Sequence, residues 1–115
     1  MANRSISAET YTNMASSPRS SRAGHTLAID SYNKALALDP NYVPAYTGRG
    51  STYHALGQYQ QAIEDYNKAI ELEPGYPYHY FNRGINYSKL GQHQAAIEDY
   101  GKAIELNPND AKAYH

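Results

Sequence analysis

A block of 34 residues occurs twice in succession without a gap, and that repetition leaves few folds open. Residues 43–76, VPAYTGRGSTYHALGQYQQAIEDYNKAIELEPGY, align with residues 77–110, PYHYFNRGINYSKLGQHQAAIEDYGKAIELNPND, and 19 of the 34 positions are identical. The second half of the block also occurs upstream as AIDSYNKALALDPNY at 28–42, and the first half restarts as AKAYH at 111–115. Thus Tyr32, Tyr66 and Tyr100 share one repeat position, as do Ala35, Ala69 and Ala103, and Pro40, Pro74 and Pro108. Each such unit leaves one apolar face for its neighbour, so the core comes from stacking.

Within a unit the pattern reads as two helices. The first lies near 44–56 and 77–90, with Pro44 or Pro77 in the opening turn, where a missing N–H costs little. It ends at Leu-Gly, where Gly57 and Gly91 can adopt the left-handed conformation that closes a helix. The second runs over 59–72 and 93–106, and Ala62, Ile63, Tyr66, Ala69 and Ile70 follow the spacing of one buried stripe. Gly48 and Gly101 fall inside helices, each at a cost of about 1 kcal/mol relative to Ala unless packing compensates.

These residues resemble the tetratricopeptide repeat family. The match comprises an aromatic at Tyr46 and Tyr80, Gly50 and Gly84, Tyr53 and Tyr87, Leu-Gly at the turn, Ala62 and Ala96, Tyr66 and Tyr100, Ala69 and Ala103, and the closing prolines. Arg49 and Arg83 depart from it, standing where the family often has Leu. The resemblance implies an all-α, right-handed superhelical array of antiparallel helix hairpins over residues 25–115. It divides into a half repeat (25–42, second helix only), full repeats at 43–76 and 77–110, and a stub at 111–115. It further implies a groove, lined by the first helices, that binds a peptide or partner protein without catalysis. Two other roles fit the same units, a docking or regulatory segment of a larger enzyme and a self-assembling structural element.

Residues 1–24, MANRSISAETYTNMASSPRSSRAG, hold six Ser and one acid and match the repeat nowhere, although residues 9–24 would supply the missing first helix. They read as a disordered or weakly ordered tail. Their Arg- and Ser-rich, acid-poor character faintly resembles a transit segment. Residues 25–115 carry seven Lys/Arg against ten Asp/Glu, the wrong sign for a groove that neutralises phosphates, so nucleic acid is not an expected partner. No stretch has the length of a membrane span, and the absence of Cys is compatible with a cytoplasmic location. The five His show neither i,i+4 pairing nor HExxH, and no phosphate loop or nucleophile elbow occurs. No metal, cofactor or catalytic residue is expected.

The groove candidates come from positions the repeat framework does not use. Tyr80 recurs at 46 and 114 and Tyr76 at 42, as framework and inter-unit packing respectively, whereas Tyr78 and Phe81 have Pro44 and Thr47 as counterparts. Tyr78, Phe81, Asn82, Ile85, Ser88 and Lys89 share one face of the first helix of the second full repeat. Thr47, Ser51 and His54 hold the corresponding places one unit earlier, and Lys112 one unit later. Some relatives read a C-terminal carboxylate with a clamp of Lys, Asn and Arg. Here Asn82 and Lys112 fit two of five places, and Thr47 and Ser51 replace the expected Lys and Asn.

Arg49 and Asp65 each lie eight residues from Gly57, and Arg83 and Asp99 stand in the same relation to Gly91. In an antiparallel hairpin each couple meets at one level and forms a structural ion pair. Finally, the unpartnered helices at the two ends, one bearing Ile29, Tyr32 and Leu36 and the other Ile97, Tyr100 and Ile104, suggest self-association end to end.

Overall fold

The computed structural model describes residues 6–15 and 21–108. Over these the chain is an all-α helical repeat array of six helices: α1 (Ala8–Ala15), α2 (Arg22–Leu38), α3 (Val43–Ala55), α4 (Tyr59–Leu72), α5 (Pro77–Lys89) and α6 (His93–Leu106). Each packs on the next in chain order, giving an elongated body of 53 × 28 × 21 Å.

The two complete hairpins follow from local chemistry. Gly57 and Gly91 adopt φ of 76° and 78°, and the reversed chain returns its amides to the helix, Gly57 N–H to His54 O at 2.9 Å and Gln58 N–H to Tyr53 O at 2.8 Å. Across each hairpin an aromatic of the second helix lies over a glycine of the first. A Cβ on Gly50 would stand 3.1 Å from the Tyr66 ring, and one on Gly84 2.8 Å from the Tyr100 ring. Glycine is required here by close approach. Tyr46 and Tyr80 tie each unit to the loop before it, their hydroxyls donating to Pro40 O at 2.7 Å and Pro74 O at 2.8 Å.

The two irregular glycines resolve differently. The Tyr32 ring of α2 occupies the space a Gly48 side chain would need, so packing between units compensates the loss of helix propensity. Gly101 has nothing within 4 Å of its missing side chain and carries the penalty without return.

The amino-terminal segment corrects the expectation of an unstructured tail. Residues Ala8–Ala15 form a helix that packs on α2 and α3, and α2 begins at Arg22 under the cap of Ser21, whose Oγ accepts from Gly24 N–H at 3.0 Å. Residues 1–5 and 16–20 lie outside the described residues. Ala8, Tyr11 and Ala15 join Ala28, Tyr32, Ala35, Leu36, Tyr42 and Ala45 in one cluster, so a first helix does stand before α2. Positions 8, 11, 12 and 15 have helical spacing, but two are alanine and one is threonine. Small residues carry little apolar signal, and eight residues span barely two turns.

Candidate functional site

α3 and α5 meet directly through a polar bond. His54 Nδ1 on α3 donates to Asn86 Oδ1 on α5 at 3.0 Å, while Asn86 Nδ2 donates to the Asn82 carbonyl at 2.8 Å. Asn86 is fully buried, so these bonds set its orientation. Beside them Ser51, His54, Tyr66, Asn82, Ile85 and Asn86 enclose a small cavity of about 90 Å³. Four of the expected groove residues, Ser51, His54, Asn82 and Ile85, therefore converge.

The others disperse. Phe81 is half-buried, with its ring 5.6 Å from that of Tyr100 on α6. Tyr78 is 40% exposed and stands 5.5 Å from the Tyr76 ring. Thr47 lines a different cleft, with Val43, Pro44, Glu73, Tyr76 and His79. Ser88 is half-buried and Lys89 exposed, both in the last turn of α5. Lys112 and the stub that carries it lie outside the described residues.

Two ion pairs hold the helices behind this face. Arg49 makes a bidentate contact with Asp65, Nε to Oδ2 at 2.9 Å and Nη2 to Oδ1 at 2.6 Å, and Arg83 meets Asp99 likewise at 2.8 and 2.7 Å. Each guanidinium also reaches the preceding unit, Arg49 Nη1 donating to Asn33 Oδ1 at 2.7 Å and Arg83 Nη1 to Asn67 Oδ1 at 2.9 Å. One arginine thus ties three helices. The hydrogen bonds to Asp65 and Asp99 hold Arg49 and Arg83 above the usual guanidinium range. Burial pushes the Asp65 carboxyl up, and Arg49 pulls against it. Burial likewise raises Tyr66 to about 12 and moves Tyr100 upward.

Sequence reasoning missed Asn33, Asn67, Asn86 and the Glu73–His79 couple. A signal existed for two of them: Asn33 and Asn67 precede their arginines by 16 residues, as Asp65 and Asp99 follow them by 16. Asn86 and His79 stand where the other full repeat has Thr52 and Ala45, so no recurrence marked them.

The hairpin geometry agrees with the sequence comparison. A tetratricopeptide repeat profile matches residues 43–76 and again 77–110, and a second repeat profile matches 25–57. The chain belongs to the tetratricopeptide repeat family. Among solved structures it is similar to MamA, with 33% identity and a TM-score of 0.83 over 93% of this chain and 62% of that one. It therefore spans less than two thirds of MamA. The first repeat domain of Spaghetti (RPAP3), solved bound to the HSP90 peptide SRMEEVD, is 26% identical with a TM-score of 0.81, covering 93% and 89% of the two chains. The Sgt2 repeat domain of Aspergillus fumigatus is 26% identical with a TM-score of 0.80, covering 94% and 74%. No curated protein sequence matches the chain.

Among the described residues no group of three or more His, Cys, Asp or Glu is placed to hold a metal ion. No described helix is long and apolar enough to cross a membrane.

Proposed function

We propose that this chain is a protein–protein interaction module that binds a peptide or an extended segment of a partner along α3 and α5, as an adaptor without catalysis. The observation that carries the reading is the second stripe on α5. Tyr80, Gly84 and Tyr87 already serve the repeat, so Tyr78, Phe81 and Ile85 form an additional, partly exposed apolar row outside the repeat framework. The polar groups beside it suit a peptide backbone, since the Asn82 amide can donate and accept at once and Ser51 adds a hydroxyl. The peptide-bound RPAP3 domain supports the same use of this fold. A carboxylate clamp fits less well, because Thr47 and Ser51 supply no charge and Lys89 is the one cation among the described groove residues.

Capture of partners from the native lysate, followed by affinity measurement with the recovered peptide, tests the proposal. Tyr78→Ala and Phe81→Ala are expected to weaken binding about tenfold or more while the helical circular dichroism is kept. Binding unchanged by both substitutions, or unfolding by both, overturns it.

Self-association is a second reading, favoured by exposed apolar residues at both ends. Met14 is 54% exposed on α1 and Ile97 62% exposed on α6. Light scattering over a concentration series checks this reading, and a monomeric mass throughout removes it.

A further inference from the structure

The junction before α5 carries residues that the junction before α3 does without. Asp39, Tyr42 and Ala45 at the first become Glu73, Tyr76 and His79 at the second. Ala45 is fully buried and Tyr42 packs against its cluster, half-buried. His79 is also buried, at 3% exposure, and its Nε2 donates to Glu73 Oε1 at 2.8 Å. The Tyr76 ring lies on the imidazole, centroids 4.6 Å apart and planes inclined by 54°, and remains 48% exposed. Tyr76 thus stands between units, as expected, but is more exposed than Tyr42.

Glu73, Tyr76 and His79 line a cleft of about 370 Å³ together with Val43, Pro44 and Thr47. Its lining side chains favour a cation. Glu73 contributes a carboxylate, half exposed, whose Oε1 accepts from His79 Nε2. Tyr76 presents an exposed ring, whose face attracts cations. Glu73 also caps α4 at its carboxyl end, where the helix dipole is negative. The amino-terminal turn of α3 borders the cleft with the opposite partial charge, but Pro44 removes one of its N–H groups. No lysine or arginine lines the cleft.

We propose that Glu73, Tyr76 and His79 form a cation subsite that takes the ammonium or guanidinium group of a lysine or arginine side chain. The carboxylate meets the charge, and the Tyr76 ring covers the alkyl stem and the cationic face. His79 is the positioning residue, since it fixes the Glu73 carboxylate and supports the ring.

Nuclear magnetic resonance titration of the full chain tests the subsite with N-acetyl-lysine methylamide, N-acetyl-arginine methylamide and, as an uncharged control, N-acetyl-norleucine methylamide. The two basic probes are expected to shift the ring signals of Tyr76 and His79 and to saturate, and norleucine is not. Glu73→Gln and Tyr76→Leu should each weaken the basic probes by about fivefold. Phe81→Ala should leave them unaffected, so failure here is distinguishable from failure of the groove reading. Equal response to norleucine, no response to either basic probe, or full affinity in Glu73→Gln overturns the proposal.

Discussion

Ile63 and Ile97 occupy the same position in repeats that agree at 19 of 34 positions, yet Ile63 is 2% exposed and Ile97 62%. Tyr66 and Tyr100 differ in the same sense, the first buried and the second half-buried. The sequence around each residue is nearly the same, so the helix that follows makes the difference. α5 covers α4, and no described helix covers α6. In a stacked array a side chain's energy belongs to the junction more than to the repeat.

The isoleucines give the largest test. Ile63→Ala removes a side chain with no room around it and is expected to lower unfolding stability by about 2–5 kcal/mol, whereas Ile97→Ala should stay within about 0.5 kcal/mol, both read by urea denaturation. Equal costs would show that α6 is covered in solution, which is what end-to-end association requires.

Alkaline titration probes the tyrosines. The folded Tyr66 phenol ionises near 12 and the unfolded one near 10, so its contribution is intact below pH 10. As pH rises through this window the unfolded state loses its proton first, and stability falls by about 2–3 kcal/mol by the upper end. Tyr66→Phe is expected to flatten this part of the profile more than Tyr100→Phe does.

A double-mutant cycle compares the ion pairs. The Asp65 and Asp99 side chains are each 6% exposed, but their arginines reach solvent at 21%, which moderates the interaction. Coupling of about 1–3 kcal/mol is expected for Arg49–Asp65, and a similar value for Arg83–Asp99. Coupling near zero would make them surface ornaments of the hairpin.

The smallest effect has opposite signs at two glycines. Gly101→Ala should raise stability by about 0.5–1 kcal/mol, since its side-chain space is open. Gly48→Ala should lower it, because the Tyr32 ring must move. Thermal denaturation reads both, and a shared sign would contradict the packing of Tyr32 on α3.

Much of the fold was legible because the repeat aligns its own evidence. Arg49 and Asp65 could be paired by counting eight residues from Gly57, since antiparallel helices of equal rise keep such residues at one level. Their third partner, Asn33, belongs to the preceding unit and escaped that count. The mutual placement of the residues expected in a groove was legible in part. Asn82, Ile85, Ser51 and His54 do converge, while Thr47 faces another cleft and Phe81 leans on Tyr100.

By itself the sequence determined the period, the two-helix unit, the left-handed glycines at the turns and the Arg–Asp couples. All of these depend on residues within one hairpin, where spacing along the chain converts directly into position. Only the tertiary structure decided that α1 stands before α2, that Ile63 is buried and Ile97 exposed, and that Tyr76 lies on His79 while Tyr42 packs against the core. Those outcomes depend on which surface arrives from another unit and how much room it leaves. Burial is a property of both surfaces, and a repeat's sequence describes only one.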